Sequence, residues 1–169
     1  WGDERFVAPD SEDRNAARAR GAFLDQVGAT QVHELASTAD APDVAAGAAA
    51  YADTMREHGA GEFEVVMLGV GPDGHVASLF PGAAALDVHD QIAVAVTDSP
   101  KPPPERISLT FAALKRTRSV WFLVSGETKS GAVAAALADG TDLHDVPASG
   151  VWGQEETTWF LDSAAASAL

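Results

Sequence analysis

The residue types best suited to chemistry lie in one short stretch, Gly69-Val70-Gly71-Pro72-Asp73-Gly74-His75. His75 stands two residues after Asp73, inside a loop made largely of glycine. An imidazole near its ordinary pKa takes a proton from water at neutral pH. Asp73 is placed to fix the orientation of that ring, or to bind a substrate hydroxyl. Backbone N–H groups in such a loop are donors for a developing oxyanion. The set suits attack of water on an ester, or ring opening of a sugar.

Other chemistries fit these residues less well. Gly69 to Gly74 matches G-x-G-x-x-G, but that pattern alone is a weak sign of a dinucleotide site. Asp73 would put a carboxylate where a pyrophosphate must approach, and no Walker lysine follows. A metal site lacks a second ligand at helical spacing from His75. No serine lies on a nucleophile elbow, so a Ser-His-Asp triad is also poor. The chain has no cysteine, which excludes disulfides, thiolate catalysis and Cys-based zinc sites.

Charge narrows the partners. The formal net charge is -14. Nucleic acid and anionic membrane surfaces both call for basic surface, so neither is an expected partner. An anionic small molecule would need the few basic residues gathered at its site. Lys101 and Arg106 flank the run Ser99-Pro100-Lys101-Pro102-Pro103-Pro104-Glu105-Arg106. Its prolines forbid a helix and stiffen the loop. It reads either as a rigid surface connector or as a frame holding both cations toward a ligand, where stiffness lowers the ordering cost of binding. The triplet Asp3-Glu4-Arg5 reads first as a solvated charge cluster.

The elements that must position these groups follow from hydrophobic pattern. Glu64 to Leu68 is an apolar run of strand length and reads as a buried, central parallel strand. Gly69 and Gly71 let the backbone turn. Asp73 to Leu79 is expected to be a short helix with His75 in its first turn, where unpaired N–H groups favour anions. Further strands are expected at the start of the chain, at Gln91–Val96, at Ile107–Thr110, at Val120–Val124 and at Thr157–Leu161, and Thr30–Leu35 reads as a short strand or an extended link. Helices are expected after a Ser11 cap, over Asp43–Glu57 closing at Gly59-Ala60-Gly61, over Phe111–Lys115, over Lys129–Leu137, and after an Asp162 or Ser163 cap. Such alternation predicts an α/β fold: a doubly wound, mostly parallel, Rossmann-like sheet with helices on both faces. The 169 residues suffice for a single domain, 1–169. No bilayer-length apolar run or leader is visible, and the lack of cysteine suits a reducing compartment, so a cytoplasmic location is expected. The chain opens at Trp1 as though a strand were already under way, and an upstream segment is expected.

Four stretches resemble one known family. Gly69-Val70-Gly71-Pro72-Asp73-Gly74-His75-Val76-Ala77-Ser78-Leu79-Phe80-Pro81-Gly82 resembles the signature of 6-phosphogluconolactonases, within the glucosamine-6-phosphate isomerase/6-phosphogluconolactonase superfamily. Trp1 to Val7 is similar to the family's acidic-arginine motif. Ser99 to Thr110 is similar to its proline-rich basic loop, and Val124-Ser125-Gly126-Glu127-Thr128-Lys129 to its late glycine turn. The resemblance runs from Trp1 to near Leu169.

It implies hydrolysis of 6-phospho-D-glucono-1,5-lactone to 6-phosphogluconate, in the oxidative pentose phosphate pathway, with no metal or organic cofactor. It implies His75 as general base and Asp73 as its supporting carboxylate. Arg5, Lys101 and Arg106 would hold the phosphate and sugar oxygens, with Gly71 and Gly74 beside the substrate. Two departures stand out. Val76 occupies a position where the family usually carries Thr. The family's upstream strand and glycine-rich phosphate loop precede the point where this chain begins. Two other readings remain at this stage: a glucosamine-6-phosphate deaminase/isomerase, and a non-catalytic phosphosugar-binding remnant. Oligomeric state is not legible.

Overall fold

In the computed structural model, which describes residues 1–59 and 61–169, six strands form two three-stranded sheets. Ala60, in the turn expected to close a helix, lies outside the described residues. The strands are β1 (Asp3–Arg5), β2 (Phe63–Leu68), β3 (Ala93–Val96), β4 (Arg106–Leu109), β5 (Thr117–Val124) and β6 (Glu156–Leu161). The main helices are α1 (Asn15–Ala19), α2 (Val44–His58), α3 (Phe111–Leu114) and α4 (Ser130–Leu137). The molecule is α/β, with a parallel sheet of order β2-β5-β6 and an antiparallel sheet of order β1-β4-β3.

The parallel sheet grows from the apolar runs that the sequence displays. β5 is its middle strand, and β2, expected at the centre, lies at an edge. One face is buried through Leu68, Val120, Phe122 and Val124, with Phe122 stacked on Trp159 at 4.0 Å. The other face presents Val65, Met67, Leu123 and Phe160, and Met67 is 66% exposed. Helices on both faces were expected. Among the described residues this second face is open to solvent.

The antiparallel sheet is an addition to the predicted picture. Alternation of strands and helices cannot distinguish a crossover from a hairpin-like return, so the pairing of β4 with β1 and β3 had no signature. α2 packs on β3 and β4. Its buried Val44, Ala48, Tyr51 and Ala52 recur at helical spacing on one face. Asp43 caps it, its side chain accepting the Ala46 N–H at 2.8 Å. One cluster of buried apolar residues, including Leu35, Ile107, Leu114 and Phe122, joins the two sheets.

Two caps were misread from sequence. Ser11 does not cap α1, since its hydroxyl accepts only the Asp13 N–H, at 3.3 Å. Instead Glu4 reaches over from β1: Oε1 accepts the Asn15 N–H and Oε2 the Ala16 N–H, each at 2.8 Å. Glu4 is fully buried, so Asp3-Glu4-Arg5 is not a solvated cluster. A carboxylate at a helix N-terminus satisfies orphan donors and complements the helix dipole. Asp162 does accept the Ala165 N–H at 2.7 Å, but turns follow it, not a helix. Of the two readings of 30–35 the strand does not form, and His33 in this link stacks on His58 at 4.2 Å. No helix among the described residues is long and apolar enough to cross a membrane.

Candidate active site

β2 delivers the chain into a loop that is not helical. Gly74 has φ +82° and Ala77 φ +49°, and these left-handed residues interrupt any α-helix between Asp73 and Leu79. The segment forms turns and a lone bridge between Val76 and Leu79. The expected helix N-terminus, with its free donors, is therefore absent. The Gly71 N–H donates to the His75 carbonyl, and the Gly74 N–H to the Gly71 carbonyl, each at 2.9 Å. Their N–H groups are used within the turn and do not face a ligand. What these glycines supply is space. A Cβ at position 71 would collide with His75 Nδ1 and Asp73 Oδ1, and one at position 74 would lie 2.7 Å from Val146 Cγ1.

The turn folds the two side chains onto each other. His75 Nδ1 lies 2.6 Å from Asp73 Oδ1, and Lys101 Nζ donates to the same oxygen at 3.1 Å. Partial burial pushes the Asp73 carboxyl up, but the hydrogen bonds from His75 and Lys101 outweigh it and bring the pKa to about 2. An ionised carboxylate has no proton to give, so the imidazole must donate from Nδ1. That tautomer leaves the Nε2 lone pair free. Burial lowers the His75 pKa, Asp73 opposes it, and the Lys101 ammonium, 3.0 Å from Nδ1, lowers it further. His75 is therefore neutral at pH 7 and competent to accept a proton.

Cations converge from other parts of the chain. Arg5 of β1 and Arg106 of β4 are direct partners in the antiparallel ladder. Opposed residues in such a ladder share a face. Arg106 is buried and donates to the carbonyls of Lys101 at 2.9 Å, Pro103 at 3.1 Å and Pro102 at 3.2 Å. The proline loop is thus a frame that grips Arg106. Burial and the neighbouring Arg5 charge both lower the Arg106 pKa. Arg5 donates from Nη1 to the Asp13 carbonyl, while its Nε is buried without a partner among the described residues.

Two residues escaped the sequence reading. Lys129 follows the Gly126 turn at the end of β5, the strand beside β2, and donates from Nζ to the Val70 carbonyl at 2.6 Å. Burial and then the charge of Lys101 lower its pKa. Its signal was a second glycine-ended parallel strand opening at the same edge. Asp3 accepts the buried Ser78 hydroxyl at 2.6 Å, and the Ser78 N–H donates to Ser108 Oγ at 3.2 Å. This chain ties β1, the His75 loop and β4 together, a long-range link with no local pattern. Val76 is fully buried in apolar surroundings.

The site thus brings together His75, Asp73, Arg5, Lys101 and Arg106, with Gly71 and Gly74 shaping the loop. It joins one neutral, oriented base to Lys101, which is bonded to Asp73, and to Arg106 and Lys129, which are held by carbonyls. That combination suits water-mediated cleavage of an electrophilic group on an anionic molecule. Among the described residues no group of three or more His, Asp or Glu is arranged to hold a metal.

Comparison with known proteins places this architecture. The profile of the glucosamine-6-phosphate isomerases/6-phosphogluconolactonase family matches residues 1–159. A 6-phosphogluconolactonase of Mycobacterium tuberculosis is 45% identical over all of this chain and 72% of its own length. One from Streptomyces coelicolor is 45% identical, over all of this chain and 69% of its own. The crystal structure of a 6-phosphogluconolactonase from Thermotoga maritima superposes with a TM-score of 0.82 at 29% identity, over 95% of this chain and 70% of that one.

Proposed function

The chain belongs to the glucosamine-6-phosphate isomerase/6-phosphogluconolactonase family, and on that premise we propose how it hydrolyses 6-phospho-D-glucono-1,5-lactone to 6-phosphogluconate. His75 Nε2 takes a proton from water as the oxygen attacks the lactone carbonyl. Asp73 holds the ring by its Nδ1–H and stabilises the imidazolium that forms. The tetrahedral intermediate collapses with cleavage of the ring C–O bond. The imidazolium returns its proton to the leaving oxygen, which yields the open hydroxy acid.

Arg5, Lys101 and Arg106 hold the phosphate and sugar oxygens, and Lys129 completes the cationic wall. Arginine suits phosphate through its planar fork, and lysine adds a point charge. No step calls on a metal or organic cofactor, and a cytoplasmic location is part of the proposal. The observation that carries this mechanism is the Asp73–His75 pair, 2.6 Å apart, set beside cations held largely by neutral carbonyls.

The test is a lactonase assay coupled to 6-phosphogluconate dehydrogenase, with spontaneous hydrolysis subtracted. General-base assistance is worth about 10²- to 10⁴-fold, so His75→Ala should lose kcat by that factor while staying folded. A near-normal kcat in that variant would sink the assignment of the base. Ammonia release from glucosamine 6-phosphate, in place of lactone hydrolysis, would overturn the reaction itself.

A further inference from the structure

Beneath the base lies a ring that this mechanism leaves unused. Phe80 ends the His75 loop and is 2% exposed. Its centroid is 4.5 Å from that of His75, with the rings tilted by 33°. Lys101 Nζ lies 5.8 Å and Arg106 Cζ 5.6 Å from the same centroid. Cations within about 6 Å of an aromatic centroid are attracted by the negative face of the ring. One buried side chain is therefore shared by the base and two cations that reach it from different stretches of chain.

We propose that Phe80 is a positioning residue, the common platform that sets the His75 imidazole and the Lys101 and Arg106 charges relative to one another. The proposal rests on the reading of His75 as base and of these cations as phosphate holders. The physical reason for an aromatic residue is charge. A carboxylate here would fix both cations but neutralise them, and they would then be poorer partners for a dianion. An aliphatic side chain would add no attraction at all, leaving Lys101 with its bond to Asp73 and Arg106 with its carbonyls. A π face attracts a cation and carries no formal charge. Arg106 is treated the same way elsewhere, by three carbonyl oxygens and no carboxylate among the described residues. The ring also shields the imidazole from water, in keeping with the burial that keeps His75 neutral.

Phe80 is itself held firmly. Ala77 takes the left-handed conformation, the Ser78 hydroxyl is tied to Asp3, and the Ala83 N–H donates to the Phe80 carbonyl at 3.1 Å. The backbone on both sides of the ring is pinned, so the ring is a fixed reference for the long side chains of Lys101 and Arg106.

The experiment compares Phe80→Leu and Phe80→Tyr, each shown to be folded by thermal melting. Three readouts are taken: the titration of the His75 imidazole by NMR, the affinity for inorganic phosphate by calorimetry, and lactone kinetics. In Phe80→Leu the His75 titration should move up toward the ordinary histidine value, because water reaches the ring. Phosphate affinity should weaken about three- to ten-fold, and kcat/KM should fall about ten- to a hundred-fold. Phe80→Tyr keeps the ring and should stay within about threefold of the parent on each measure. A folded Phe80→Leu variant with the parent's His75 titration and phosphate affinity would overturn the platform. If that variant does not fold, Phe80→Met gives a second non-aromatic side chain for the same three readouts. A parent that fails to hydrolyse the lactone would sink the functional reading alone, because the NMR and phosphate measurements still decide the role of Phe80.

Discussion

The loop after β2 and the antiparallel sheet furnish opposite kinds of group, and they hold them in opposite ways. The loop places Asp73 and His75 two residues apart and pairs them at 2.6 Å. The sheet and its proline loop bring Arg5, near the start of the chain, to Lys101 and Arg106, which lie far along it. Arg106 is held there by carbonyls, and one nitrogen of Arg5 has no partner among the described residues. A base works when its tautomer is set, which calls for a tight charged partner. A phosphate-binding cation works when its charge is left available, which calls for neutral partners. Lys101 is the exception, a cation of the proline loop bonded to the Asp73 carboxylate and lying close to His75.

This contrast can be broken by experiment. The largest effect belongs to the loop: His75→Ala should reduce kcat by about 10²- to 10⁴-fold and leave KM within a few-fold. Arg106→Ala should act differently. Hydrogen bonds to charged groups are worth about 1.5–3 kcal/mol, so kcat/KM should fall about ten- to a hundred-fold, mainly through KM. A loss in kcat alone would show that Arg106 belongs to the chemistry and would dissolve the division.

The pH profile sharpens it. The His75 pKa lies below the ordinary value of 6.5, so kcat/KM should hold below pH 6.5 and decline only on further acidification, as the imidazole gains its proton. Asp73 raises that pKa and Lys101 lowers it. Asp73→Asn should therefore move the acidic limb to lower pH, and Lys101→Met should move it higher. Movement of both limbs in one direction would contradict the geometry. Stability follows the same signs. His75 binds its proton less readily when folded, so its contribution is present above pH 6.5 and is lost as pH falls through the lowered folded value. Asp73, at about 2, contributes above the ordinary carboxylate range and loses that contribution only as pH falls toward 2.

The smallest expected effect lies outside the chemistry. Glu4→Gln removes one of the carboxylate oxygens that cap α1 and the charge that complements its dipole. Caps are worth about 0.5–2 kcal/mol, and the variant should lower the melting temperature by several degrees while leaving KM unchanged. A changed KM with an unchanged melting temperature would show that Glu4 acts on Arg5, its neighbour, and not on the helix.

Several of these features were legible in the letters alone. Glycine, aspartate and histidine in one short loop mark the Asp73–His75 pair, because the two partners are close in sequence. The apolar runs at Val65–Leu68 and Val120–Val124 mark the parallel strands as well, although Val65, Met67 and Leu123 lie on an exposed face and the runs do not report burial on both sides. The helix expected over Asp73–Leu79 failed because Gly74 and Ala77 adopt positive φ, a choice set by packing against Val146 and by the tie from Ser78 to Asp3. Glu4 was misread because a capping carboxylate eleven residues before its helix leaves no local pattern.

The sequence by itself therefore determined the α/β class and the residues of the Asp73–His75 loop, and singled out Arg5, Lys101 and Arg106 as candidate cations. Each is encoded by residue type and short-range spacing. Only the tertiary structure decided how those cations are held, that Phe80 lies under both base and cations, and that Lys129 and Asp3 join the site. These depend on antiparallel pairing and on side chains meeting across the join between the two sheets. Such meetings are selected by the free energy of the whole packed core, and that quantity is not carried by any single stretch of the chain.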